Sequence, residues 1–448
     1  MSRESVSRQD NKLRPEDRPA HDWYRFVLSF PPHLVREYVH RFSLSADSRV
    51  LDPFCGTGTT LVECKKLGIP SVGIESNPMA CFASTVKVDW GVDPDALLRH
   101  ANAITQSALA KLAGQGVADD EHGLPLFHVP RETPSNLRTL SADLLTLLLK
   151  NSISPLPLHK TLVLLDTLDE QKVDPFNQHE RLALAKALVF GISNLHFGPE
   201  VGVRPPKVDA PVISPWLKGV RAMVDDLGEL KSRAHVEAIV HQADARCASS
   251  VLEPNSVDAV ITSPPYPNEK DYTRTTRLES VLLGFIHSKQ DLRFLKQGLV
   301  RSNTRGVYKA DRDDLLVAEH SEIQRIARAI EDRRIALGKT SGFERLYSRV
   351  MKLYFGGMTR HLADLTSILR PGARLAYVVG DQASYLHVMI RTGRLLAEIA
   401  ESLGYQTVTV DLFRTRLATA TKEQLREEVV VLRWPGRGRP EGCAKRQV

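Results

Sequence analysis

Cysteine is scarce in this chain. The five present (Cys55, Cys64, Cys81, Cys247 and Cys443) are odd in number and form no CxxC pair, which argues against both a zinc site and a disulfide framework. Reduced, mostly buried thiols are the expected state. Long apolar runs are lacking as well. The longest, such as Leu144 to Leu149 and Leu162 to Leu165, fall far short of a bilayer span, and the N-terminus is polar where a signal peptide needs an apolar stretch. A cytoplasmic location is therefore expected. With 448 residues, 42% hydrophobic and 25% charged, the chain fits no fibrous, mucin-like or membrane class and is long enough for two or three cores.

Two nucleotide signatures are also missing. No G-x-x-x-x-G-K-[ST] occurs, so a triphosphate lacks its cradle. The run Ser48-Arg49-Val50-Leu51-Asp52-Pro53-Phe54-Cys55-Gly56-Thr57-Gly58-Thr59-Thr60 takes an apolar strand into a glycine-rich turn, but the position three after Gly58 is Leu61 where a dinucleotide fingerprint needs a small residue. What is present is a β-α-β unit. A helix from Thr60 to Leu67 ends at Gly68, a good C-terminal cap, and Ile69 to Ile74 forms a second strand ending in Glu75. Glycines at a helix N-terminus let the backbone approach a ligand, and an acid at the next strand end suits ribose hydroxyls.

Further along, Val236 to Gln242 reads as a third strand leading to Asp244. Val257 to Ile261 is a short apolar run of the buried parallel kind, followed by Thr262-Ser263-Pro264-Pro265-Tyr266. Ligand chemistry in open α/β sheets sits at such carboxyl ends. The two prolines stiffen the turn and leave carbonyl oxygens with no neighbouring N-H in the motif, flanked by a hydroxyl and an aromatic ring. That combination suits a flat substrate bearing an amino group. A fifth strand, Arg374 to Asp381, and a final pair, Gln406 to Leu412 with Glu428 to Leu432, complete the pattern.

The fold class this predicts is α/β, a doubly wound, mostly parallel sheet with a terminal antiparallel strand pair and helical insertions. The expected divisions are a disordered arm, 1–20; a first sheet part, 21–94; a mainly helical insertion, 95–234; the third and fourth strands, 235–267; a basic helical segment, 268–370; the C-terminal sheet part, 371–433; and a disordered tail, 434–448. The formal charge is +7, which leans toward a polyanionic partner. Segment 268–370 carries 20 Lys and Arg against 13 Asp and Glu, a surplus of seven, while 95–233 carries 15 against 16. The later segment is the better candidate for a nucleic-acid footprint. Within it, Lys270, Arg274 and Arg277 share one face if the spacing is helical.

Taken in order, Asp52-Pro53-Phe54-Cys55-Gly56-Thr57-Gly58-Thr59, Glu75, Asp244 and Ser263-Pro264-Pro265-Tyr266 resemble the motifs of S-adenosylmethionine-dependent DNA amino-methyltransferases. The branch they most resemble is the N4-cytosine one, whose catalytic motif opens with serine. The resemblance covers roughly 23–94 and 235–433. It implies a class I methyltransferase fold in which Asp52, Phe54, Gly56, Gly58 and Thr59 hold the methionine side of S-adenosylmethionine, Glu75 its ribose hydroxyls and Asp244 its adenine amino group. Ser263, Pro264, Pro265 and Tyr266 would hold the target base, and Lys270, Arg274 and Arg277 the double-stranded DNA, with no metal. A restriction-modification setting with a cognate restriction endonuclease goes with the resemblance. C5-cytosine methylation would need a cysteine nucleophile, usually beside proline, and no cysteine here has a proline neighbour. The other readings are N6-adenine methylation, whose motif more often opens with Asp or Asn; an RNA base amino-methyltransferase; and an idle DNA-binding subunit.

Overall fold

The computed structural model describes residues 13–25, 29–119, 136–197, 201–268, 270–417 and 424–436. Nine strands occur among them: β1 (Val50–Asp52), β2 (Ser71–Ile74), β3 (Leu195–Phe197), β4 (Val201–Val203), β5 (Ala238–His241), β6 (Val257–Thr262), β7 (Leu369–Gly380), β8 (Gln406–Leu417) and β9 (Gln424–Arg433). Seven of them form one sheet in the order β5-β2-β1-β6-β7-β9-β8. Only β9 runs antiparallel to its neighbours. This is the doubly wound, mostly parallel sheet with a terminal antiparallel pair that the strand pattern predicts, in the class I order that the resemblance implies. The order reverses between β1 and β6, so the crevice of a doubly wound sheet opens at Asp52 and Thr262.

The alternation of side chains along each strand builds two cores. Leu51, Val260, Leu375, Tyr377, Val379, Val430 and Leu432 face one way, and Val50, Ala259, Ile261, Ala376, Val378, Val429 and Val431 face the other. The second set is covered by α1 (Pro32–Arg41), through Leu34, Val35 and Tyr38, and by Cys64 of α2 (Thr59–Leu67). The first set lies under α3 (Tyr347–Leu365) and α4 (Thr392–Ser402). Thus the end of the basic segment 268–370 is a crossover helix of the sheet itself. Its apolar side, Val350, Met351, Tyr354, Phe355, Met358 and Leu362, is buried.

The insertion is mainly helical, as its pattern predicts: Pro94–Gly114, Ala142–Leu147, Pro155–Glu170, Asp174–Ala187 and Ile213–Leu230. It shares one apolar cluster with Leu61, Val62 and Met79 of the sheet-covering helices, so it docks on the sheet unit and has no separate core. Within the insertion β3 and β4 pair antiparallel. The β-branched Val201 and Val203 favour this pairing.

Both ends need correction where they are described. Residues 1–12 of the expected arm and 437–448 of the expected tail lie outside the described residues. Asp17, Ala20 and His21, by contrast, are buried. Arg36 bonds Asp17 and Glu63, and His21 Nε2 lies 2.8 Å from Glu63. Trp23 Nε1 donates to Asp226 at 2.6 Å. These partners are distant in sequence, so the lack of local periodicity says nothing of them. At the other end, Trp434 is buried against Tyr405, with ring centroids 5.0 Å apart.

Candidate active site

A cavity of about 560 Å³ opens at the carboxyl ends of β1, β2, β5 and β6. After β1 the chain turns through Gly56 and Gly58, both left-handed with φ 52° and 81°, a conformation that costs a side chain and suits glycine. Gly56 reaches the cavity. Gly58 does not: it packs on Ser84, whose Oγ would lie 2.5 Å from an added Cβ. Phe54, Thr59, Glu75 and Asp244 line the cavity. Asp52 lies behind it, fully buried. Its Oδ1 accepts from the Phe54 N-H at 3.2 Å and the Thr262 hydroxyl at 2.6 Å, while Oδ2 has no protein partner. Burial pushes the Asp52 carboxyl up to about 6. Of the residues expected to hold the methionine side of the cofactor, Asp52 and Gly58 do not line the cavity of the free protein. Their shared role in the free protein is to shape the turn.

Glu75 ends β2 with both oxygens oriented. Oε2 accepts from the Gly56 N-H at 2.9 Å and Oε1 from the Asn77 N-H at 2.7 Å. Burial raises its carboxyl to about 7, against the pull of these amides. Asp244, after β5, is clamped by its neighbour Arg246, with Nη2 at 2.7 Å and Nε at 3.0 Å; the same guanidinium reaches Asp313 at 2.7 Å. Beneath them His361 is fully buried, its Nδ1 2.7 Å from the Ala245 carbonyl and Nε2 2.7 Å from the Tyr377 hydroxyl. Its ring meets Phe54 edge-on at 4.8 Å, and burial lowers its pKa to about 4, so it is neutral.

The end of β6 carries the Ser-Pro-Pro-Tyr turn, all four residues of which line the same cavity. Ser263 Oγ donates to the Val378 carbonyl of the adjacent strand at 3.2 Å. Tyr266 sits over Gly380, where an added Cβ would fall 3.1 Å from the tyrosine ring. Burial raises the Tyr266 pKa and keeps the phenol neutral. Beside it Arg414 of β8 pairs with Glu427 of β9 at 2.6 Å, and Gln382 completes this wall.

The three expected DNA-contacting cations do not share a face. Tyr272–Thr275 and Arg277–Leu282 are separate short helices broken at Thr276. Lys270 and Arg274 line the cavity, but Arg277 is buried, its guanidinium donating to the Thr273 carbonyl and hydroxyl and to the Leu147 carbonyl. Two of the other cations at the cavity are paired, Lys296 with Asp271 and Arg301 with Asp311, both at 2.9 Å.

Sequence reasoning passes over one wall altogether. Tyr24, Arg25 and Phe30 line the cavity, on a segment held by the buried Lys87, which donates to the Thr57 carbonyl at 2.7 Å and the Tyr24 carbonyl at 3.2 Å. The Tyr24 hydroxyl bonds the buried Glu279. Arg414, Glu427 and Phe190 are likewise missed, since only the tertiary fold brings them to the cavity. The one available signal is the cluster of aromatics from Trp23 to Phe30 ahead of α1.

A family profile described as DNA methylase matches residues 4–85. Two type II methyltransferases, M.BsoBI of Geobacillus stearothermophilus and M.AvaI of Anabaena variabilis, are 25% and 24% identical to this chain; each match spans 97% of it, and 87% and 90% of the relatives. A tRNA (guanine(10)-N2)-dimethyltransferase of Methanothermobacter thermautotrophicus is 38% identical over 65 residues, 14% of this chain and 18% of its own length. Together with the strand order and the motifs at the strand ends, these matches support an N4/N6 DNA amino-methyltransferase, with S-adenosylmethionine as methyl donor.

Proposed function

We propose that the chain methylates the exocyclic N4 amine of cytosine at a specific site in double-stranded DNA, in a restriction-modification or related defence setting. The observation that carries this reading is the orientation of Ser263. Because its proton goes to the Val378 carbonyl, the hydroxyl oxygen, which lines the cavity beside Tyr266, keeps its acceptor capacity. With the Pro264 carbonyl, it supplies two acceptors for the two hydrogens of one amine. The lone pair of a cytosine amine is delocalised into the ring; accepting both hydrogens draws the nitrogen toward tetrahedral geometry and frees that pair for attack. A serine opening the motif favours cytosine over adenine. The Arg414–Glu427 pair and Gln382 offer polar groups to the remainder of the base edge, and Tyr266 offers a face on which the base stacks once out of the duplex.

The donor set in the cavity suits S-adenosylmethionine. Carboxylates end two adjacent strands, an aromatic ring and an open glycine backbone lie between them, and about 560 Å³ is within the range of ligand sites. Glu75 would take the ribose hydroxyls, using the lone pairs that the Gly56 and Asn77 amides leave open. Asp244 would take the adenine amine, and Phe54, Gly56 and Thr59 the remaining cofactor surface. When bound, the cofactor supplies an electrophilic sulfonium methyl. Lys270 and Arg274 would meet phosphate at the mouth.

The test is to express the chain, digest the host DNA to nucleosides and identify the modified base by mass spectrometry. N4-methylcytosine is expected. N6-methyladenine would reassign the base, and modification confined to RNA would reassign the substrate.

A further inference from the structure

On the mouth of the cavity stands a phenylalanine that nothing in the reaction above uses. Phe190 is 57% exposed, although its neighbours Leu188, Val189 and Ile192 are buried. It sits on a π-helical turn, Leu188–Ile192, a feature that often marks functional positions. Hydrogen bonds brace the turn and the residues after it. Lys207 Nζ donates to the Gly191 carbonyl at 2.5 Å, and Asn194, itself buried, bonds the Asn151 carbonyl at 2.9 Å and the Ser154 hydroxyl at 3.1 Å. Phe197 of β3 tilts against Phe190 at 6.3 Å. Both rings line the same cavity as Ser263 and Tyr266. Arg204 and Lys207 are exposed beside them, and Arg274 lines the cavity across the mouth.

A rigid apolar side chain set among cations matches one occupant, a nucleic-acid duplex. Its phosphates meet the cations, while its stacked interior accepts an apolar wedge. Removing a base from the stack leaves a gap that water fills poorly. We propose that Phe190 enters the duplex beside the target base and occupies that gap, making the π-helical turn and β3 a DNA-facing jaw of the enzyme. The inference rests on the reading of the chain as a methyltransferase of duplex DNA. It also gives the insertion a part in the reaction that its near-neutral charge conceals.

The test is single-turnover methylation by the full chain on two duplexes bearing its own target site, mapped beforehand from modified host DNA. One duplex is fully paired; the other has an abasic site opposite the target base, which removes the pair to be opened. Phe190→Ala should be at least tenfold slower on the paired duplex and within twofold of the parent on the abasic one. Phe190→Trp should retain both rates, and S-adenosylmethionine affinity and Tm should stay unchanged in both variants. An equal loss on the two duplexes, no loss on either, or loss of cofactor affinity would overturn the wedge. So would a change from dimer to monomer with both rates kept, which would make the ring an interface between copies. A parent protein that methylates no duplex would instead overturn the reading beneath it, and the wedge with it.

Discussion

The Asp52 carboxylate and the Thr262 hydroxyl meet at 2.6 Å across the point where the strand order reverses. One residue ends β1 ahead of the glycine turn, and the other immediately precedes Ser263, so a single hydrogen bond joins the glycine turn to the Ser-Pro-Pro-Tyr turn. With Asp52 Oδ2 already lacking a protein partner, Thr262→Val would leave the carboxyl with only the Phe54 amide and the nearby Thr60 hydroxyl to offset its burial. The substitution should cost about 1 to 3 kcal/mol of stability and lower turnover, and Thr262→Ser should restore both. Chemical denaturation and steady-state rates check this; a silent Thr262→Val would mean that the two motifs are not coupled here.

Glu75 should make cofactor binding depend on pH. Burial raises its carboxyl to about 7 in the free protein, whereas ribose hydroxyls donate to the ionised form and would lower it. Binding should therefore release protons near neutrality, and affinity should fall as pH drops through 7. Calorimetry in buffers of different ionisation enthalpy reads this directly. Glu75→Ala should weaken binding by roughly 1 to 3 kcal/mol and abolish that proton release; unchanged affinity would remove Glu75 from the site.

Tyr266 should separate base binding from cofactor binding. Tyr266→Ala should lower turnover on duplex DNA and leave cofactor affinity nearly unchanged. Gly380→Ala should act in the same sense, because its Cβ would sit 3.1 Å from the tyrosine ring. An equal loss of cofactor affinity in Tyr266→Ala would show that the ring is structural.

Arg274 and Arg277 should behave differently despite lying three residues apart. Arg274→Gln should reduce the slope of log affinity against log salt by about 0.9 with the fold intact. The buried Arg277 donates to the Thr273 and Leu147 carbonyls. Arg277→Gln should lower stability by about 1 to 3 kcal/mol and leave the salt slope of the remaining folded protein alone. The reverse pattern would move the phosphate contact to Arg277.

What the sequence made legible follows from local physics. Apolar runs of strand length put Asp52, Glu75, Asp244 and Ser263 at strand ends, and the β-α-β connection with the final pair marks a mostly parallel sheet ending in an antiparallel pair. Side-chain direction was not legible. Asp52 turns away from the cavity because Thr262, 210 residues later, offers it a hydroxyl. Arg277 turns inward because a break at Thr276 alters the helical spacing and Leu147 supplies a carbonyl from the insertion. Trp23 and His21 lack a local pattern, yet Asp226 and Glu63 fix them.

His361 provides a check on the packing beneath Phe54. Its folded pKa, about 4, is depressed below the ordinary 6.5, so its contribution to stability is present above 6.5 and is lost as pH falls toward 4. Between pH 7 and 5 that loss amounts to about 2 kcal/mol. In His361→Gln the stability difference between those two pH values should shrink by that amount, whatever the substitution costs at pH 7. An unchanged difference in urea denaturation would mean that the imidazole already titrates normally in the folded chain.

The most direct test of the central claim uses the purified chain, S-adenosylmethionine carrying a trideuterated methyl group, and duplex DNA digested to nucleosides afterwards. The predicted result is a trideuterated methyl on cytosine N4, absent with Ser263→Ala while cofactor binding persists. Label on adenine N6, on RNA alone, or at undiminished level with Ser263→Ala would contradict it.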